Sequence, residues 1–138
     1  MSFFSRSRAL HLKLGRTGEN LAIKLLKSRN CTILARNWRN NFTHDGAGEL
    51  DIVALDGEVL NFVEVKTLRK LSRYRPGSHL SEAQKKRIRH GAKVYCRQHH
   101  IPETIDIRFD LIEVIYDGKK LRDIALHENY MPLNLTIR

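Results

Sequence analysis

Gly48-Glu49-Leu50-Asp51-Ile52-Val53-Ala54-Leu55-Asp56-Gly57-Glu58-Val59-Leu60-Asn61-Phe62-Val63-Glu64-Val65-Lys66-Thr67 reads as two strands joined by a tight turn. Glu49–Leu55 and Glu58–Lys66 are rich in β-branched and aromatic residues, and Asp-Gly between them is a strong two-residue hairpin signal. With Asp56 and Gly57 as the loop, Leu55 stands opposite Glu58, Asp51 opposite Phe62 and Glu49 opposite Glu64. Directly opposed side chains share a face. Glu49, Asp51, Glu64 and Lys66 therefore gather on one face, at the open end of the hairpin, with Val53, Leu60 and Phe62. Leu50, Ile52, Val59, Val63 and Val65 take the other face. A hairpin apolar on both sides belongs in the middle of a sheet.

In this register Asp51 and Glu64 are diagonal neighbours, their Cβ atoms somewhat under about 7–8 Å apart. Two carboxylates so placed can converge on one hard divalent cation such as Mg²⁺ or Mn²⁺, which prefers oxygen ligands. The backbone carbonyl of Val65 offers a third protein ligand. Lys66 emerges beside that position, where it can orient an attacking water or stabilise developing charge. The plain alternative is a solvated Glu-x-Lys ion pair worth little. Acids inside a sheet favour the first reading, because a bare buried carboxylate is costly.

Charge points the same way. The 138 residues carry 25 Lys+Arg against 15 Asp+Glu, a formal +10, with pI near 10.0. That excess implies an anionic partner, nucleic acid foremost. The charge is also segregated. Residues 40–67 hold six acids and one Lys, whereas 1–39 hold nine Lys/Arg and one acid, and 68–100 hold ten and one. An acidic centre between basic flanks suits phosphodiester hydrolysis. The longest apolar run is four residues, far below the roughly 20 of a membrane span. Met1–Leu14 lacks the apolar core of a secretory signal and reads as a basic arm, with 15–138 one domain. Cys31 and Cys96 form no CxxC pair, which excludes zinc-ribbon and thioredoxin-type readings.

Around the hairpin, helical spacing predicts a first helix from about Thr17 to Arg29, stopped at Asn30, and a strand over Thr32–Trp38. A polar loop follows to Gly48. Thr67–His79 is a basic loop. Ser81 with Gln84 forms a capping box for a second helix reaching Gln98 and burying Ile88, Ala92 and Tyr95 or Cys96. Ile105–Ile115 is a strand, Asp117-Gly118 a turn and Leu121–Leu126 a last strand. The order predicts an α/β fold: a central mixed sheet of about five strands flanked by helices. The phosphate-binding candidates are Arg69, Lys70, Arg73 and Arg75 in the loop and Lys85, Lys86 and Arg89 on the second helix, within the run Lys85, Lys86, Arg87, Arg89, Lys93, Arg97. Tyr74 is a candidate for stacking on an unpaired base. Asp110 reads as a structural partner of an arginine, Glu49 as a loop-edge acid, and the histidines as surface residues without metal spacing.

Gly48-Glu49-Leu50-Asp51-Ile52-Val53-Ala54 and Phe62-Val63-Glu64-Val65-Lys66-Thr67 resemble the YraN-like family of small, largely uncharacterised bacterial proteins. Gly15-Arg16-Thr17-Gly18-Glu19-Asn20-Leu21-Ala22, Ile33–Arg39, Gln84–Ile88 and Arg108-Phe109-Asp110 extend the resemblance over about Gly15 to Ile115. The loop Phe42–Ala47 looks longer than the family's, and the C-terminus differs. The family looks like part of the PD-(D/E)xK nuclease superfamily and is similar to archaeal Holliday-junction resolvases. The resemblance implies a restriction-endonuclease-like fold and cleavage of DNA, branched or structured DNA foremost. Asp51, Glu64 and Lys66 would map onto the catalytic set and Glu19 onto its helical acid. It further implies a bacterial cytoplasmic protein acting as a homodimer. The alternative is a non-catalytic nucleic-acid-binding protein that keeps the nuclease fold. A membrane-surface module ranks last, for want of aromatics on the second helix.

Overall fold

The computed structural model describes residues 3–39, 48–69 and 80–132, with side chains described from Lys13 onward. The elements run α1 (Phe3–Ser28), β1 (Thr32–Trp38), β2 (Leu50–Asp56), β3 (Val59–Arg69), α2 (Glu82–Gln98), β4 (Ile107–Asp117) and β5 (Lys120–His127). The five strands form one sheet in the order β1-β2-β3-β4-β5. Neighbours are antiparallel except β3 and β4, which run parallel from Leu60↔Ile107 to Arg69↔Tyr116. The sheet is mixed because a parallel pair needs a crossover, and α2 supplies it. This α/β architecture agrees with the restriction-endonuclease-like expectation.

Each helix covers one face. Ala22, Ile23 and Leu26 of α1 bury Ile52, Ala54, Val63, Ile112 and Val114. Ile88, Ala92 and Tyr95 of α2 bury Val53, Leu60, Phe62 and Phe109. The hairpin β2–β3 thus lies inside the sheet with both faces covered, as its apolar pattern requires. Leu50 departs from the pattern. Expected on the face of Ile52, it packs in the α2 cluster. The chain enters β2 from Gly48, whose φ of 90° belongs to a turn, so strict alternation begins only after Leu50.

Helix α1 begins at Phe3 instead of Thr17, so the stretch read as an arm, 1–14, is helical from Phe3 and continuous with the domain's first helix. Its Leu14 is buried in the core. Gly18, inside the helix, is a packing glycine: a Cβ there would lie 2.5 Å from Thr67 Oγ1. The helix stops as expected at Asn30, which adopts φ 65°, and the Cys31 N–H donates back to the Leu26 carbonyl at 3.0 Å. Helix α2 carries the expected capping box: Ser81 Oγ accepts the Gln84 N–H at 3.2 Å, and Gln84 Oε1 accepts the Ser81 N–H at 2.9 Å. Cys31 and Cys96 are free thiols, Cys31 buried. Among the described residues no helix is long and apolar enough to cross a membrane.

Candidate functional site

The hairpin register differs from expectation by one step on each strand. Asp56 pairs with Val59 and Ile52 with Val63, leaving Gly57-Glu58 as the loop. Gly57 has φ 60°, and the first loop position is where a type II′ hairpin demands glycine. The second hairpin repeats the shift, with Asp117 paired to Lys120 and Gly118 at φ 61°. Faces are preserved, because partners move by an even number of residues. Proximity improves. One step past Ile52↔Val63, Asp51 stands directly opposite Glu64, not diagonally, and Glu49 is no longer opposite Glu64.

The β2–β3 ladder ends there, and β3 continues to Arg69 against β4 alone. Asp51 fills part of the gap: its Oδ2 accepts the Val65 backbone N–H at 2.9 Å. The Asp51 and Glu64 carboxyl groups also lie close enough for each to shift the other's proton affinity. Two carboxyl groups in that relation must share a proton. Burial pushes the Glu64 carboxyl up to about 9, helped by the Asp51 charge and opposed by Arg87. Burial also raises Asp51, against the pull of the Val65 N–H; Glu19 and Glu49 raise it further.

Glu49, Asp51, Glu64, Gln84, Arg87 and Ile88 line a cavity of about 90 Å³. Glu49 is exposed at its rim and forms an ion pair with Arg39 at 3.1 Å. Lys66 lies two residues past Glu64, half-buried on the same face, in register with Glu113 of β4. Glu19 reaches the pair only electrostatically. Among the described residues, no group of three or more His, Cys, Asp or Glu side chains is gathered as a metal cage. The acid pair is thus a two-carboxylate site with the Val65 backbone beside it.

The basic candidates separate by place. Lys86 is exposed on the outer side of α2. Lys85 pairs with Glu82 at 3.3 Å and sits 5.8 Å from the centre of the Tyr130 ring. Arg89 is half-buried, and its charge bears on the Tyr130 hydroxyl. Arg69 is exposed at the end of β3. Lys70, Arg73, Tyr74 and Arg75 lie outside the described residues. Arg87 had no separate role within the helix run, yet it is the cation at the carboxylate cavity.

Two further features were not anticipated. Tyr130, after β5, is held to the sheet by its N–H on the Phe109 carbonyl at 2.9 Å; burial and the nearby Glu64 charge push its hydroxyl up to about 12. Glu113 is fully buried, with His127 Nε2 2.5 Å from its Oε1. An acid inside the apolar run Leu111-Ile112-Glu113-Val114-Ile115 was the available signal, since such a group demands a partner. At the opposite end of the sheet, Asp110 accepts from Asn61 Nδ2 at 2.8 Å, Arg108 Nε at 3.0 Å and the Asn129 N–H at 2.8 Å. Arg108 also donates to Asp56 at 2.8 Å. Asp110 therefore has the structural role expected of it.

Residues 18–114, which contain every element of this site except Tyr130 and His127, match the uncharacterised protein family UPF0102. The chain belongs to that family. A UPF0102 protein of Solibacter usitatus is 41% identical over 101 residues, 73% of this chain and 74% of its own length. One from Dictyoglomus turgidum is 35% identical over 120 residues, 87% of this chain and 94% of its own. A third, from Streptomyces griseus, is 38% identical over 102 residues, covering 74% and 82%. Membership in UPF0102 agrees with the YraN-like resemblance of the hairpin motif.

Proposed function

We propose that this UPF0102 chain is a Mg²⁺- or Mn²⁺-dependent nuclease of the PD-(D/E)xK type that hydrolyses DNA phosphodiester bonds, with branched or structured DNA as substrate. The observation that carries the reading is the Asp51–Glu64 pair: two half-buried carboxyl groups one step beyond Ile52↔Val63, where the ladder ends, lining one cavity, with Lys66 two residues after Glu64. The donor set fits a hard cation, because both side chains offer oxygen and their shared proton marks a place where a second positive charge is wanted. Asp51, Glu64 and the Val65 carbonyl would hold the ion. When bound, such an ion lowers the pKa of its water and offsets phosphate charge.

The chain's own residues would do the rest. Asp51 is already oriented by the Val65 N–H, which fixes its carboxylate for a ligand. Lys66 would orient the attacking water through Nζ and meet the charge of the pentavalent phosphate. Glu19 would assist through its field on Asp51. Arg69, Lys70, Arg73, Arg75, Lys85, Lys86 and Arg89 would take flanking phosphates and position the strand without reading sequence. This reading sets the enzyme in the bacterial cytoplasm, where its substrate is. On a two-fold junction it would act as a homodimer, an expectation by analogy.

A second reading has one observation in its favour. Among the described residues no group of three metal-ligating side chains is gathered, which suits a non-catalytic nucleic-acid-binding protein that keeps the nuclease fold. Cleavage of labelled four-way-junction, flap and linear DNA in Mg²⁺ and Mn²⁺, with Asp51→Asn beside the wild type, separates the two. Metal-dependent cutting lost in Asp51→Asn supports the nuclease. Tight binding without cutting by either protein supports the binder.

A further inference from the structure

Helix α2 sorts its cations into three directions. Ile88, Gly91, Ala92 and Tyr95 face the sheet. At 100° per residue, Lys86 and Arg97 point away from that face, and both are exposed. Lys85 and Arg89, one turn apart, flank it on the side of Tyr130. Arg87 flanks it on the other side, with Gln84 one turn before it, toward the start of β2. There Gly91 meets the Gly48 backbone so closely that a Cβ would lie 3.0 Å from it, which pins this stretch of α2 over Glu49 and Asp51.

Arg87 is therefore the α2 cation that lines the cavity shared by Asp51 and Glu64. Among the described residues it makes no ion pair and no hydrogen bond, though its charge is felt by Glu64. A guanidinium lining a carboxylate cavity without closing on either carboxylate leaves room between them. That room is about 90 Å³. A tetrahedral phosphate group is the ligand whose charge suits the Arg87 wall, its oxygens facing the guanidinium fork. On the carboxylate wall, a cation held by Asp51 and Glu64 would offset the like charge.

We propose that Arg87 is a further catalytic residue of the site, binding a non-bridging oxygen of the phosphate that is cut, and not one more contact to the flanking backbone. The inference rests on the nuclease reading. In the hydrolysis, water oxygen bonds to phosphorus and one P–O ester bond breaks. One proton of the water ends on the departing oxygen, which leaves as an alcohol, and the other passes to solvent, leaving a phosphomonoester dianion. Negative charge grows on the non-bridging oxygens as the phosphorus becomes five-coordinate. Arg87 opposes that charge from the α2 wall, while Lys66 acts from the β3 wall.

The test compares Arg87→Ala, Arg87→Lys and Lys86→Ala with the wild type, in the full chain. Thermal melts come first, and the exposed Arg87 should leave Tm unchanged on substitution. Single-turnover cleavage at saturating protein, in Mg²⁺, should fall about 10²–10³-fold in Arg87→Ala, with Kd for the same DNA in Ca²⁺ within about threefold. Arg87→Lys should recover part of the rate. Lys86→Ala should raise Kd and lower the salt slope by about one. An Arg87→Ala protein that merely copies this pattern overturns the proposal. The second readout needs no turnover: broadening of the ³¹P signal of inorganic phosphate by protein-bound Mn²⁺. Broadening in the wild type that is lost in Arg87→Ala keeps the phosphate contact even if no DNA is cut, in which case the nuclease reading and the catalytic role fall and the phosphate-binding role of Arg87 stands. Equal broadening in both proteins, or in neither, overturns the contact.

Discussion

Asp51 Oδ2 accepts the Val65 backbone N–H at 2.9 Å, so a carboxylate on β2 closes the strand that carries its own partner, Glu64. One side chain performs a structural and a chemical task together. The bond holds Asp51 in place and sets it against Glu64 in a half-buried site where both cannot be charged without help.

The first prediction concerns stability against pH in the absence of divalent ions. Glu64 titrates at about 9 in the fold against 4.5 ordinarily. Between those values the folded chain keeps a proton that the unfolded chain has lost, so stability falls as pH rises. The contribution is complete below pH 4.5 and gone above about 9; raised Asp51 adds in the same sense. In EDTA, Tm should decline from pH 5.5 to 8.5. Glu64→Gln should flatten the slope and gain at most about 5 kcal/mol at pH 8. A Glu64→Gln protein whose Tm tracks the wild type across the range would refute the assignment.

Metal binding should then be proton-coupled. A cation taken up by Asp51 and Glu64 must displace the shared proton. Mn²⁺ affinity should tighten as pH rises toward 9, by up to about tenfold per pH unit, with about one proton released. Calorimetry in two buffers of different ionisation enthalpy measures that proton. Asp51→Asn should weaken Mn²⁺ binding by at least tenfold. Binding that ignores pH would place the ion elsewhere.

Much of this was legible because the strongest signals are local. The alternation of Asp51–Leu55 and Val59–Val65, the two Asp-Gly turns and the Ser81–Gln84 box each act within a few residues. Faces were legible even where pairing was not: Gly57 took the first loop position, the register moved by one on each strand, and Asp51 still faced Glu64. What escaped was non-local. A mixed sheet was expected, but nothing between Leu60 and Ile107 announces the register of their parallel pairing, which carries β3 on to Arg69. Gly18 signals a break by propensity, but a close approach to Thr67 decides its role. Arg87 resembles its neighbours in α2 until Gly91 and Gly48 set which side of the helix meets β2.

Those glycines give a third prediction. Gly18→Ala places a Cβ 2.5 Å from Thr67 Oγ1 but 3.6 Å from Val114 and 3.7 Å from Thr67 Cβ. One hydroxyl is the obstacle, so Thr67→Ala should rescue Gly18→Ala. Gly91→Ala meets two Gly48 backbone atoms and Leu50 Cδ2, all at 3.0 Å. Trimming Leu50 leaves the backbone contacts, and no rescue is expected. Gly91→Ala should cost about 1–3 kcal/mol, less the roughly 1 kcal/mol that alanine gains in helix propensity. Urea melts of both double-mutant cycles read the coupling: favourable for 18 with 67, near zero relief for 91 with 50.

The last prediction separates fold from site. Asp110 is 1% exposed at its side chain and accepts from Asn61, Arg108 and Asn129, while Arg108 bridges onward to Asp56 in the β2–β3 turn. The Arg108 guanidinium binds its proton more tightly than usual, first through its bond to Asp110. This network ties the start of β4 to the closed end of the hairpin, whereas Asp51 and Glu64 occupy the open end. Asp110→Ala leaves Arg108 half-buried without its main acceptor and strands the Asn61 amide. That should cost about 3–5 kcal/mol. Whatever Asp110→Ala protein remains folded should bind Mn²⁺ as the wild type does, because no atom of the network reaches the carboxylate cavity. Mn²⁺ titration below the variant's Tm, read beside its urea melt, is the check. A variant that keeps full stability, or one that folds and loses Mn²⁺, would mean that the two ends of the hairpin are not independent in the way the register implies.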